Sequence, residues 1–285
     1  MIDRATTAPS PMFGLWFVRV LVAFARREAR AVAGYRVAFL VRGFAFGLSV
    51  FALAFLSRLV GAASNNPHLA KYGGDYLAFA VVGLVVMDFQ QVGVSNLANR
   101  IRTAQVLGFM EAEMATPAPA WIVLGVGPVY EFGLAAVRAS MYFLLAKVVF
   151  GVGFPNASAV SVLLAAPLVV GAFVGLGLLS AATTMLVRRT NPIAVMLAGV
   201  SLLLSGVAYP VSVLPPSLRM LGKILPLTHA LELVRGSLLR GDHPSQLIEP
   251  ITALGLFVVV LVPAGVGMFV FALRRARVDG SLTHY

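Results

Sequence analysis

The chain reads as an all-α integral membrane protein. Six transmembrane helices are expected, with an amphipathic interfacial helix before them and a re-entrant outer segment between the fifth and sixth. Three observations predict this. Of 285 residues, 59% are hydrophobic and 12% charged, against roughly 45–50% and about 25% in soluble domains. The mean hydropathy is +0.91, and the apolar residues gather in runs long enough for the roughly 20-residue helix that crosses a bilayer. Basic residues exceed acidic ones by 22 − 11 = 11. They lie in short clusters between the apolar runs, which reads as loop anchoring and not as a nucleic-acid-binding face. The chain has no cysteine, so disulfides, thiolate metal sites and cysteine nucleophiles are excluded.

Residues 11–33 come first. Phe13, Phe17, Val20, Leu21 and Phe24 share one helical face, and Arg19, Arg26 and Arg30 share the other. A helix with that division lies in the membrane interface. The same arginines interrupt any cleavable signal pattern, so this segment is expected in the mature protein. The first span runs from about Val37 to Val60, with Arg42 and Arg58 near its ends. The second, Tyr76 to Leu97, contains Asp88, and the third, Trp121 to Phe150, contains Pro128, Glu131, Arg138 and Lys147. The fourth and fifth lie within Val148–Val187 and Thr190–Leu218, and the sixth is Pro250 to Leu273.

Loop charges orient these spans. Arg26, Arg27, Arg30 and Arg36, then Arg100 and Arg102, Arg188 and Arg189, and finally Arg274, Arg275 and Arg277 fall on one side if there are six spans. The positive-inside rule makes that side cytoplasmic, with both termini there. The opposite loops balance Lys71 with Asp75, and Arg235 and Arg240 with Glu232 and Asp242.

Two connecting segments carry further information. Residues 99–120 read as a short helix through Arg100, Arg102, Leu107, Met110, Glu111 and Met114, stopped by Thr116-Pro117-Ala118-Pro119. Charged ends around an apolar middle suit either docking into a partner's groove or a solvated connector. Residues 209–246 begin with helix-breaking Tyr209-Pro210 and Leu214-Pro215-Pro216, and hold a short amphipathic stretch with Leu218, Leu221, Ile224 and Leu225. After Pro226, a second helix places Leu231, Val234 and Leu238 on one face, with Glu232 and Arg235 spaced to pair at i, i+3. So apolar a segment is expected to dip into the outer leaflet where protein shields its backbone.

Catalytic signatures are missing. Gly222-Lys223 is followed by Ile224 and does not make a phosphate-binding loop. His229 and Glu232 are three apart but have no further ligand, and read as a hydrogen-bonded pair near the outer face. The intramembrane charges Asp88, Glu131, Arg138 and Lys147 are costly in lipid and should face protein or water. Glu131 and Arg138, seven apart, share a helix face and suit a packing salt bridge. A polar substrate lining or a proton relay also fits them.

The arrangement resembles the ABC-2 type permeases, the membrane subunits of a class of ABC exporters. The residues that carry the resemblance are Gly108-Phe109-Met110-Glu111 and Ala115-Thr116-Pro117 in the first loop. In the outer segment they are Ser205-Gly206-Val207-Ala208-Tyr209-Pro210-Val211, Leu214-Pro215 and Leu225-Pro226-Leu227-Thr228-His229 through Glu232 and Arg235. The resemblance covers essentially all of 1–285 as one membrane domain. It implies two copies of this chain paired with two separately encoded ATPases, which would bind the ATP and magnesium; no cofactor is expected in this chain. Arg100, Arg102, Gly108, Glu111 and Glu113 would couple to the ATPase, with 11–33 as a connecting helix. Tyr209, Pro210, Pro215, Pro226, His229, Glu232 and Arg235 would form an outer gate. The cargo would be an amphiphile (a drug, a lipid, or a lipid-linked or other glycan) leaving a bacterial cytoplasmic membrane. Phe44, Phe46, Phe51 and Phe55 are candidate glycan-facing aromatics, although helix packing or lipid contact explains them better. Two other readings stand beside this one: a proton-coupled secondary transporter using Asp88, Glu131 and Arg138, and a membrane enzyme using His229 and Glu232.

Overall fold

The computed structural model describes residues 36–61, 67–73, 75–106, 120–187 and 192–278, together with Val22. Among them every regular element is helical and none is a strand. Helix α1 is Arg36–Gly61, α2 is Pro67–Ala70, α3 is Tyr76–Val106, α4 is Ala120–Phe150, α5 is Ala159–Val187 and α6 is Pro192–Leu204. Then come the short α7 (Pro216–Gly222), α8 (Pro226–Arg235) and the long α9 (Ile248–Val278). The interfacial helix expected over 11–33 lies outside the described residues, apart from Val22.

Four stretches are long and apolar enough to cross a membrane: Tyr76–Thr103, Pro128–Phe150, Ala159–Val187 and Ile248–Arg275. They match the second, third, fourth and sixth expected spans. In α1 the apolar stretch is the shorter Gly47–Arg58, and in α6 it is Ile193–Leu204. The fifth expected span is therefore shorter than its hydropathy suggested. The 13 residues of α6 rise about 1.5 Å each to about 20 Å, well under the roughly 30 Å of a bilayer core. Its helix stops because Gly206 turns the chain through a left-handed conformation, φ +76°. The apolar run that continues through Val207, Ala208, Val211 and Val213 is turn and 3-10 helix.

Helix α4 ends in the same manner. Gly151, at φ +71°, lets its own N–H reach the Lys147 carbonyl and that of Val152 reach the Ala146 carbonyl, at 3.0 and 3.2 Å. Left-handed glycines of this kind satisfy carbonyls that would otherwise be orphaned at a helix end.

Helix α5 is central and packs along both α3 and α9. Small residues let the backbones approach, as membrane helices require without a hydrophobic drive between them. A Cβ at Gly93 would lie 2.7 Å from the Cβ of Phe173, and one at Gly177 would run into the Gly93 carbonyl. Phe173, Val82, Val94 and Leu254 are buried in this core. Helix α8 seats Leu227, Ala230, Leu231 and Leu233 on it, all at most 1% exposed.

Candidate functional site

The sequence-predicted residues fall into two polar groups at different levels of the bundle. The first lies where α8 meets the start of α3 and the turn after α6. Arg235, at the last position of α8, is 2% exposed. Its Nη1 donates to the Gly206 carbonyl at 2.8 Å, and its Nη2 to the carbonyls of Val207 and Phe79 at 2.7 and 3.1 Å. The guanidinium also lies over the Phe79 ring, 3.4 Å from its centroid. Two of the three carbonyls sit just past the end of α6, where unpaired carbonyls and the helix dipole favour a cation. Gly83 makes room for this group, because a Cβ there would stand 2.6 Å from Arg235 Nη2. Burial pushes the guanidinium down to about 9, opposed by Tyr72 and Glu232. It remains charged at neutral pH.

Glu232 does not pair with Arg235, contrary to the i, i+3 spacing. Its Oε1 accepts from Lys71 Nζ at 2.8 Å and Arg240 Nη1 at 3.0 Å, and its Oε2 accepts from the Tyr72 hydroxyl at 2.8 Å. Arg240 Nε continues to Asp242 at 2.6 Å. Burial alone would raise the Glu232 carboxyl, but the Lys71 and Tyr72 hydrogen bonds and the Arg240 charge hold it below its ordinary value. Burial, and then the Glu232 charge, push the Tyr72 hydroxyl up. This cluster ties the turn after α2 to α8, an association across 161 residues that no local spacing could announce.

His229 does not pair with Glu232 either. Its Nε2 meets the Lys223 carbonyl at 2.8 Å, and its ring lies against Phe257. Next to it, the Thr228 hydroxyl donates to the Gly222 carbonyl at 2.6 Å. The Leu225-Pro226-Leu227-Thr228-His229 run thus has a local physical purpose. Pro226 starts α8 at a position where no N–H is needed, while Thr228 and His229 satisfy carbonyls at the end of α7. The Tyr209 hydroxyl serves α6 in the same way, donating to Leu203. Pro210 and Pro215 sit at the N-caps of the 3-10 turn and of α7. Several of these residues are therefore helix-end fittings, a signal the sequence carried in its Thr, His and Tyr spacing.

The second polar group lies between α3 and α4. Arg138 pairs across the helices with Asp88, Nη2 to Oδ2 at 3.0 Å and Nε to Oδ2 at 3.1 Å. The pairing of Arg138 with Glu131 suggested by their spacing is replaced by this one. Glu131 instead accepts from Asn96 Nδ2 at 3.0 Å. Each acid finds its partner on the other helix because α3 and α4 lie side by side, with Phe89 against Phe132. Asn96, Arg100, Pro128, Glu131 and Phe132 line a small cleft between α3, α4 and α5. On the far side of α3, Gln90 donates to Ser201 of α6 at 2.9 Å.

Arg100 and Arg102 belong to the last turns of α3, which continues to Val106 instead of giving way to a separate loop helix at 99. Gly108, Glu111 and Glu113 lie outside the described residues. Phe44, Phe51 and Phe55 of α1 are exposed on the protomer, with Phe51 also edge-on to Phe150.

The helices define a multi-pass membrane protein whose polar groups link helix to helix. Residues 19–239 match the family model of the ABC-2 type transporter. The chain belongs to that family, and is an ABC permease subunit. No curated protein matches it. Proteins of this family are transporter components that generally work with an ATPase partner.

Proposed function

We propose that this chain is the membrane subunit of an ATP-driven exporter, assembled as two copies with two copies of a separate ATPase. The family match over residues 19–239 carries this reading. The sequence has no phosphate-binding loop of its own, so the energy must come from elsewhere. The Arg100 end of α3 leads into residues 107–119, and this is the cytoplasmic side by loop charge. Arg100, Arg102, Gly108, Glu111 and Glu113 seat in the ATPase there, and nucleotide-driven closure moves α3 and α4. At the opposite, outer end, the clamp of Arg235 and the Glu232 cluster hold the 209–246 segment shut. The exposed apolar residues Leu218, Met220, Leu221 and Ile224 on and just after α7 support its immersion in the outer leaflet.

The reading is tested by a mild-detergent pull-down of the tagged chain from its native membranes. A stoichiometric ATPase with a phosphate-binding loop should accompany it, and reversing charge at both Glu111 and Glu113 should reduce its recovery while the permease stays folded. A stable complex without an ATPase, transporting in response to a pH gradient, would turn the reading to a proton-coupled transporter built on Asp88, Glu131 and Arg138.

A further inference from the structure

The charge of the outer segment is one-sided around α7. No Asp or Glu occurs between Glu131 and Glu232, whereas Arg219 and Lys223 stand exposed on α7 and at its C-cap. The Lys223 N–H donates to the Arg219 carbonyl at 3.2 Å. The two side chains therefore leave one face a turn apart, with roughly 5–6 Å between their Cβ atoms. Arg219 Nη2 donates to the Ser212 and Leu214 carbonyls at 2.8 and 3.2 Å. Neither cation has an acidic partner among the described residues. Glu232 and Asp242 hold Lys71 and Arg240, Asp75 caps the start of α3, and Glu249 stands at the head of α9. The depth of the pair follows from α9. His229 meets both the Lys223 carbonyl and the Phe257 ring, so Lys223 is near the level of Phe257, 257 − 249 = 8 residues and about 12 Å below Glu249. Counting the roughly 20 residues of a span back from Leu273 puts the outer edge of the hydrocarbon near Leu254. Lys223 is then about one turn inside that edge, within reach of a lysine that lays its stem in lipid and raises its ammonium to the headgroups.

The rest of α7 completes the surface. Gly222 turns inward, where a Cβ would stand 2.5 Å from the Leu204 carbonyl. Met220 and Ile224 are 74% and 66% exposed, and each lies about 100° round the helix from the cation before it. A charged edge thus adjoins an apolar one. We propose that Arg219 and Lys223 hold the phosphate of an anionic phospholipid of the outer leaflet, with its acyl chains along Met220 and Ile224. Guanidinium and ammonium both donate to phosphate oxygens. The lack of a nearby acid selects the headgroup. The ammonium of a zwitterionic lipid would meet two cations and no carboxylate, whereas a headgroup of net negative charge, such as phosphatidylglycerol, meets no repulsion. This lipid is a resident of the leaflet and not the cargo. Because Arg219 also holds the Ser212 and Leu214 carbonyls, the bound phosphate braces the turn that leads into α7. The inference rests on the immersion of the outer segment proposed above.

The absence of cysteine makes the test direct. The full chain carrying Leu221→Cys, labelled there with bimane, is reconstituted in phosphatidylcholine vesicles. These contain a minor fraction of brominated phosphatidylglycerol or, at the same fraction, brominated phosphatidylcholine. The brominated phosphatidylglycerol should quench the label more strongly. Each cation near an anionic headgroup is worth about fivefold in binding. Lys223→Gln, which breaks no bond among the described residues, should therefore lower the preference by about that factor, and the double variant Arg219→Gln, Lys223→Gln should abolish it. Equal quenching by the two lipids overturns the phosphate site and leaves the immersion standing. Quenching by neither overturns the immersion and the site with it. A preference that survives the double variant overturns the assignment to these residues. Inorganic phosphate in the buffer should not compete, and loss of the preference in its presence overturns the lipid as ligand. None of these readouts requires ATP hydrolysis, so a pull-down without an ATPase leaves the site intact.

Discussion

The two polar levels of this protein use charge in opposite ways. Around α8, Arg235 and Glu232 are each held by three partners within the chain, and the groups that hold them come from segments far apart in sequence. Between α3 and the open side of α4, the Asp88–Arg138 ion pair is partly exposed and the amides of Gln91 and Asn99 stand at the protomer surface. The first arrangement fixes the geometry of turns and short helices that could not hold themselves. The second leaves hydrogen-bonding capacity available to something outside the protomer. Where a membrane helix carries polar residues matters less than whether the chain itself satisfies them.

The largest effect should come from the most enclosed group. Arg235→Ala leaves the Gly206 and Val207 carbonyls without their donor and opens a void over Phe79. With charged hydrogen bonds each contributing about 1.5–3 kcal/mol, a loss of about 3 kcal/mol or more is expected. It should show as a sharp fall in folded yield and in thermal midpoint in detergent. Arg235→Lys should recover only part, because one ammonium cannot span three carbonyls as the guanidinium fork does. A near-normal midpoint for the alanine variant would erase the contrast between the two levels.

The Glu232 cluster gives the next effect, and it depends on pH. Its carboxyl is held below the ordinary value of 4.5. The cluster's stabilisation is therefore complete above that pH and is lost as pH falls through the lower, folded value. Tyr72, raised above its ordinary value of 10.0, adds an alkaline limb, with stability lost as pH climbs past 10 towards the raised value. Thermal midpoints recorded across pH should fall at both extremes, and Glu232→Gln should flatten the acid limb.

Asp88→Asn should change stability by about 1 kcal/mol or less, since partly exposed pairs contribute little and asparagine still accepts from Arg138. Transport should suffer more than stability, and equal losses in both would place Asp88 with the structural charges. Lys71→Ala should be the mildest, within about 0.5 kcal/mol, because its ammonium is largely exposed and Arg240 keeps Glu232 compensated.

Much of this architecture could be read from the residues. The apolar runs located α3, α4, α5 and α9 to within a few residues at most ends, because lipid rewards a continuous apolar surface whatever it packs against. The exceptions have physical reasons. Hydropathy could not see that Gly206 ends α6, since Val207 to Val213 remain apolar after the backbone has turned. Nor could it end α3 at Val106, because Asn99, Arg100 and Arg102 look like loop residues although they extend the helix. The site suffered from locality. Spacing proposed Glu232 with Arg235, His229 with Glu232, and Glu131 with Arg138, whereas each found a partner or a carbonyl elsewhere. Helical spacing lists the neighbours available on one helix and is silent about the helix opposite.

The Arg235 clamp also has a consequence for how the protein is made. Its acceptor on Phe79 precedes it by 156 residues, and synthesis at about 5–20 residues per second separates the two by roughly 8–30 s. As α3, α4 and α5 are completed in turn within that interval, each waits in the membrane with the seat for α8 unfilled. The buried cation arrives only when the chain is mostly complete, and its arrival joins the earliest of these helices to the latest turn. A ribosome stalled between the end of α5 and residue 235 would leave those three helices without this link, and α9 is added to them only after it has formed.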